Sequence, residues 1–451
     1  MKHFTLKQFA DACHAQYFGP EELLEQEIHG VVQDNRLIEP GFLFVAIVGE
    51  RVDGHRFIPD IYEKGALCAL SQQKLETPVG PYLLVEDTLQ ALKEAAEAYR
   101  LTLTIPIIGV TGSVGKTSTK EMIASILSQK YCVLKTPGNL NNEIGLPLTI
   151  FQIDECHEAA VLEMGMNHFG EMHRLSKMTH PTCCILTNIG TAHLEFLGSR
   201  DGIFQAKCEI FDYAAPNAAV FVNGDDDKLI ALSDRATSFG LGKDNCVRAD
   251  RIEKLGLDGV RCRIFTDNFD FIVTIPLPGA HMVYNALAGT CVGLSLKLSI
   301  DEIRDGIEAL RPLPGRSNIL HTPHYTLLDD CYNASPASMM EALNILEDTK
   351  SRKVAILGDM GELGEQSPEL HASVGRHIGA LHIDLLVTIG NKSRKIHEAA
   401  VTAAPQTHCI HFSDLEGFLE GKDPLLKDGD AVLIKASHAM GFEKIVEALA
   451  N

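Results

Sequence analysis

The chain has 451 residues, 45% of them apolar and 22% charged, with a formal net charge of -20 and no tryptophan. That length exceeds one ordinary hydrophobic core and predicts roughly two to four domains with clefts between them. The composition excludes general disorder, and the acidic balance argues against nucleic acid, which is held largely through basic patches. A small anionic ligand stays allowed, because a few local cations and backbone amides suffice for it.

No run nears the roughly 18 apolar residues of a membrane helix, and the start Met1-Lys2-His3-Phe4-Thr5 lacks a signal-peptide core. No membrane insertion and a cytoplasmic location are therefore expected. Twelve cysteines without a Cys-x-x-Cys pair spell neither a zinc site nor a disulfide framework, and mostly buried, reduced thiols are expected.

The first eighty or so residues read as a small mixed domain that closes with a polar loop, Ser71 to Gly80, and a short strand, Tyr82 to Val85. Thr88 to Leu101 predicts a helix, with Leu89, Leu92, Ala95 and Ala96 on one face. From Ile105 short apolar runs alternate with helix-length segments, the pattern of a parallel α/β sheet. Strands are predicted at Ile105 to Val110, Glu158 to Glu163, Thr182 to Thr187 and Ala218 to Val222, each followed by a polar loop. In open α/β sheets ligands gather beyond the carboxyl ends of strands. Arg311-Pro312-Leu313-Pro314-Gly315-Arg316 reads as a linker. After it strands are predicted at Tyr325 to Leu328, Lys353 to Leu357, Leu385 to Ile389 and Ala431 to Ile434. The fold class is thus α/β in three domains: a small mixed N-terminal domain (1–83), a central parallel-sheet domain (84–313) and a C-terminal Rossmann-like doubly wound domain (314–451); the residues that make the central one a P-loop ATPase domain open it after its first strand.

Thr111-Gly112-Ser113-Val114-Gly115-Lys116-Thr117, between a strand and the helical stretch Ser118 to Gln129, is the context in which amides and a helix N-terminus cradle phosphate. Gly112, Ser113, Gly115, Lys116, Thr117 and Ser118 are the candidate ATP contacts, with Lys116 on the β/γ phosphates and Thr117 on Mg²⁺. The strict pattern wants glycine at 110, and Val110 stands there. Glu163 ends an apolar run, where a carboxylate is either a solvated strand-end acid or is compensated by a cation. Its alignment with the glycine loop favours the second. His193 follows a strand end on the same side. Lys207 lies in a helix-like segment, and nothing in the residues alone singles it out.

These motifs, in order with Thr136-Pro137-Gly138-Asn139-Leu140-Asn141-Asn142-Glu143, Glu163-Met164-Gly165-Met166-Asn167, Ala206-Lys207-Cys208-Glu209, His281 to Ala286 and Leu313-Pro314-Gly315-Arg316, resemble the Mur ligases of bacterial peptidoglycan synthesis over essentially the whole chain. Asp329-Asp330-Cys331-Tyr332-Asn333-Ala334-Ser335-Pro336 and Leu357 to Gly364 are similar to the members that take UDP-N-acetylmuramoyl-tripeptide and D-alanyl-D-alanine. The resemblance implies an ATP- and Mg²⁺-dependent ligase, expected as a monomer, that activates the tripeptide carboxylate as an acyl phosphate.

Carried over position by position, the resemblance gives Thr117, Glu163, His193 and a carbamylated Lys207 as metal ligands. It also puts Asn285 near adenine, Asp330 near ribose and Arg316 near the phosphates. Asn35 and Arg36 fall in the uridine-nucleotide domain, and Asn139 and Asn142 toward the tripeptide. Asn333, Ser335, Lys435 and Ser437 are either dipeptide contacts or plain turn and cap residues. Asn35, Ser335 and Ala436 depart from the family's usual residues. Hinges are expected near 80–88 and 311–316, with domain closure. An amide ligase with a different amine acceptor, or a regulatory NTPase, is the alternative.

Overall fold

The computed structural model describes residues 1, 3–49 and 52–450; Lys2, Glu50, Arg51 and Asn451 lie outside it. The chain folds into two compact units that interleave in sequence. One holds Met1–Thr111, Lys130–Ile185 and Lys207–Ala219; the other holds Gly112–Gln129, Leu186–Ala206 and the chain from Val220 onward.

The first unit begins with a five-stranded sheet in the order Gln16–Phe18, Tyr82–Leu84, Cys68–Ser71, Phe42–Val45, Gly30–Val32. Only its first pair is antiparallel. Phe44, Ile58, Ile61 and Tyr82 fill its core, and Phe18 stacks on Tyr82 with ring centroids 4.8 Å apart. The predicted helix forms as Thr88–Thr102, started by the Asp87 carboxylate, which accepts from the Leu89 and Gln90 amides. Ile107–Thr111 then pairs in parallel with Ala159–Glu163, which pairs in parallel with Val133–Lys135. Both Ile107–Thr111 and Ala159–Glu163 are buried along their whole length, so apolar residues on both faces are what their position requires.

In the second unit Lys116–Leu127 packs against Met282–Ser295 and Ile300–Glu308, and Ser125 Oγ donates to the Gly306 carbonyl at 2.6 Å. Here the central region departs from an all-parallel sheet. Ala219–Asn223, Thr237–Gly240 and Val247–Lys254 run parallel, but Val260–Phe265 and Asp270–Ile275 add an antiparallel extension. The extension alternates buried and exposed residues because one face meets water, and such a pattern carries no long apolar run.

The C-terminal sheet has the order Asn318–His321, Thr326–Asp329, Ala431–Lys435, Lys353–Gly358, Leu385–Ile389, His408–Phe412, parallel except at its first pair. Period-two alternation sends Ala355, Leu357 and Leu433 to one face and Val354, Ile356 and Val432 to the other. Met339, Leu343, Val374 and Ile396 cover the first face, and Phe418, Phe442 and Ile445 the second. Helices on both faces make this sheet doubly wound, as the sequence predicts.

Candidate active site

Glycine is required twice in the phosphate loop. Gly115 caps the helix Lys116–Leu127 with φ +83°, in the left-handed region that costs a side chain strain. A Cβ on Gly112 would run into Thr187 Oγ1. Val110, by contrast, lies inside the strand and fully buried, one residue before the chain leaves it, so no glycine is needed there.

The segment 187–190 clamps the loop. Ser113 N donates to the Asn188 carbonyl (3.0 Å), Val114 N to Asn188 Oδ1 (2.9 Å), and Gly190 N to Ser113 Oγ (2.9 Å). Asn188 Nδ2 and Thr187 Oγ1 both donate to the Val114 carbonyl. Lys116 Nζ folds over the loop to the Gly112 carbonyl at 2.9 Å, a bond that a phosphate oxygen can take over. Thr117 is 3% exposed and Ser118 half-buried. Asn285 is buried beside the helix start, accepting from Thr119 Oγ1 at 2.9 Å. Lys120, buried and 3.2 Å from Glu121, is a cation that the motif reading did not single out. At the strand end, Thr111 Oγ1 is buried with no hydrogen-bond partner among the described residues, which leaves its hydroxyl free to donate.

In the first unit Glu163 stands level with Val110 in the sheet register and is 2% exposed. Its Oε1 accepts from Asn141 Nδ2 at 2.8 Å, and its amide donates to Thr136 Oγ1. Asn141 is thus the member of the Asn139–Asn142 run that meets the carboxylate. Asn139 is exposed, and Asn142 Oδ1 accepts from the Ile144 and Gly145 amides, starting the next helix. Lys207 is 0% exposed, in the helix Arg200–Cys208. The Glu163 carboxylate is a hard oxygen donor of the kind Mg²⁺ selects. In the N-terminal sheet domain Arg36 forks onto Asp34 (Nε to Oδ1 2.9 Å, Nη2 to Oδ2 2.6 Å), and this bonding pulls the Asp34 carboxyl down to about 2. Asn35 is half-buried and its carbonyl accepts from Lys64 Nζ at 2.6 Å.

His193 adopts φ +63° and its Nδ1 meets Glu362 Oε2 at 2.6 Å; Glu362 is itself at φ +58°. Glu362 belongs to the Leu357–Gly364 motif, and a contact across 169 residues has no local signal. In the C-terminal domain Lys435, 2% exposed, donates to Asp330 Oδ2 (2.5 Å), the Asp330 carbonyl (3.3 Å) and the Asn333 carbonyl (3.0 Å). Arg316 lies over the Tyr332 ring at 4.0 Å, and Tyr332 stacks on His438. Three of the sequence candidates, Asp330, Asn333 and Lys435, therefore form one cluster. Ser335 takes the cap role left open for it, accepting from Ser338 N at the start of Pro336–Glu347. Ser437 donates its amide to the Asp359 carbonyl at 2.9 Å.

A strand, a clamped glycine loop and a helix N-terminus, joined to a doubly wound C-terminal domain, define an α/β nucleotide-using enzyme. Comparison with known proteins narrows the class. Profiles described as Mur ligase family, catalytic domain, Mur ligase middle domain, and Mur ligase, glutamate ligase domain match residues 27–100, 110–293 and 315–438. The chain is 35% identical over 452 residues to the UDP-N-acetylmuramoyl-tripeptide--D-alanyl-D-alanine ligase of Bacillus subtilis, covering 99% of this chain and 98% of that one. Among solved structures, MurF from Acinetobacter baumannii superposes with a TM-score of 0.89 at 32% identity, covering 99% of this chain and 98% of that one. MurF ligase from Thermotoga maritima in complex with ADP gives 0.82 at 30% identity, covering 94% of this chain and 97% of that one. The chain belongs to the Mur ligase family, with that family's three-domain α/β fold, and is an ATP-dependent ligase.

Proposed function

We propose that the protein joins D-alanyl-D-alanine to the terminal carboxylate of UDP-N-acetylmuramoyl-tripeptide, with cleavage of ATP to ADP and phosphate, in peptidoglycan precursor synthesis. The observation that carries this reading is the full-length similarity to a ligase named for that reaction, on a chain that keeps the glycine loop and a buried acid level with its strand. Domain boundaries near 83/84 and 313/314, a monomeric state and a cytoplasmic location belong to the same reading; among the described residues no helix is long and apolar enough to cross a membrane.

The tripeptide carboxylate resists attack until its oxygen is made a leaving group. The γ-phosphoryl group passes to that oxygen, giving an acyl phosphate and ADP. The dipeptide amine then adds to the carbonyl, and the tetrahedral intermediate collapses with loss of phosphate. Loop amides from Gly112 to Thr117 and the Lys116 ammonium hold the phosphates in line, where positioning and charge stabilisation are the main catalytic effects. Thr117, Glu163, His193 and carbamylated Lys207 are the proposed holders of Mg²⁺, which supplies neutralisation of charge on the transferring group. Asn285 and Asp330 are assigned to the nucleoside and Arg316 to the phosphates. Asn35 and Arg36 go to the uridine nucleotide, Asn139 and Asn142 to the tripeptide, and Asn333, Ser335, Lys435 and Ser437 to the dipeptide end.

The test is phosphate release from ATP with the UDP-tripeptide, with and without D-alanyl-D-alanine, together with the product mass. Release that needs both substrates, and a product heavier by one dipeptide, is expected. Release without the dipeptide, or equal release with other amines, would overturn the acceptor assignment.

A further inference from the structure

Seven of the twelve cysteines are buried, but Cys132 and Cys156 are exposed and face each other, Sγ to Sγ, at 3.4 Å. Cys132 immediately precedes the strand Val133–Lys135, and Cys156 and His157 precede its parallel neighbour Ala159–Glu163. The three residues therefore sit at the amino ends of these strands, the opposite end of the sheet from Glu163. Their backbones are fixed to one another. The Glu158 amide donates to the Cys132 carbonyl at 2.8 Å, and the Cys132 amide donates to Glu158 Oε2 at 2.9 Å. His157 Nδ1 lies 3.8 Å from Cys156 Sγ and 2.7 Å from Asp154 Oδ1. All three donor atoms, two sulfurs and one ring nitrogen, fall within 4.8 Å of one another.

We propose that Cys132, Cys156 and His157 form a zinc site, with Asp154 or water as the fourth ligand. Zinc–sulfur bonds of about 2.3 Å and zinc–nitrogen bonds of about 2.0 Å, set tetrahedrally, separate neighbouring ligand atoms by roughly 3.5–3.8 Å. The observed 3.4 Å and 3.8 Å edges bracket that range. Two thiols with an imidazole select a borderline-soft ion over magnesium, which prefers an all-oxygen shell. The ion displaces one proton from each thiol to solvent, and displaces the Asp154 amide that reaches Nδ1 at 3.2 Å. The ligand pair flanks the starts of two adjacent strands, so the bound ion pins those strands together. At a hundredfold excess of free zinc over its Kd the folded-to-unfolded ratio rises roughly 100-fold.

The experiment uses the full-length protein, reduced and chelator-washed, in excess magnesium. Zinc is titrated against a chromophoric chelator, and cobalt(II) is bound in parallel as a spectroscopic probe. One zinc per chain is expected, with a thiolate-to-cobalt charge-transfer band and the visible bands of a tetrahedral ion. Both are lost in Cys132→Ser and in Cys156→Ser, while ligase activity is unchanged. Zinc should also shield Cys132 and Cys156, but not the exposed Cys246, from alkylation. Equal zinc binding by the wild type and the double serine variant, or a cobalt spectrum without the thiolate band, would overturn the proposal.

Discussion

Lys435 is the residue whose removal should reveal most about the C-terminal cluster. Its ammonium has three donors and three acceptors: Asp330 Oδ2, the Asp330 carbonyl and the Asn333 carbonyl. Lys435→Met keeps the aliphatic stem but strands the Asp330 carboxylate, whose side chain is 18% exposed. Removing one partner of a buried ion pair costs about 3–5 kcal/mol. Because Ser317 N still donates to Asp330 Oδ1 at 2.9 Å, the lower end, about 3 kcal/mol, is expected. Asp330→Asn leaves an oxygen acceptor in place and should cost about 2 kcal/mol. In the double variant no charge is left buried, so its loss should fall short of the sum by about 2 kcal/mol, a coupling that a double-mutant cycle reads directly. Urea midpoints are best followed by far-ultraviolet circular dichroism, since the chain has no tryptophan. Losses that add within about 0.5 kcal/mol would mean that the two residues do not act as one unit.

Three further outcomes are expected. Gly112→Ala forces a Cβ into Thr187 Oγ1; strain of about 2 kcal/mol, or roughly 30-fold in Kd for a non-hydrolysable ATP analogue by calorimetry, should follow with the fold retained. Glu163→Gln keeps the bond to Asn141 but not the charge, so kcat should fall roughly 100-fold while magnesium-free nucleotide binding holds; a near-wild-type kcat would remove Glu163 from the chemistry. His371 is fully buried, its Nε2 accepting from Met360 N at 3.0 Å, and burial lowers its pKa below the ordinary 6.5. Below pH 6.5 the unfolded chain takes up a proton that the folded chain refuses, so stability present above that pH is lost as pH falls, by at most about 1.4 kcal/mol per unit. His371→Gln should flatten the slope of urea midpoint against pH between 6.5 and 5; an unchanged slope would refute the assignment.

The sequence made the parallel strands legible because buried strands must be apolar on both faces. Leu385–Ile389 falls on its predicted bounds, and Ile107–Thr111 and Ala159–Glu163 within two residues of theirs. Val247–Lys254 was not legible: it reads Val-Arg-Ala-Asp-Arg-Ile-Glu-Lys, with a register shift between Asp250 and Glu253, so neither an apolar run nor an even alternation marks it. The glycine loop was legible because left-handed backbone and close approach are demands each residue makes locally.

Among the candidate residues the same distinction decides what could be read. Asn139 and Asn142 share the composition of Asn141, but which carboxamide reaches Glu163 depends on where strand Ala159–Glu163 stands relative to the loop, a matter of register across 22 residues. Ser335 could be weighed as a cap from its neighbours alone, since Pro336 follows it at the helix start and Ser338 stands three positions on. Glu362 could not be weighed at all. Its partner His193 is far away in sequence, and each takes a left-handed backbone that is uncommon outside glycine. Strain of that kind persists only where the surroundings hold it, and here the 2.6 Å bond joins the two strained residues to each other. The pair therefore ties the polar loop after strand Cys183–Leu186 to the loop after strand Lys353–Gly358, two loops whose separate motifs give no sign of the link.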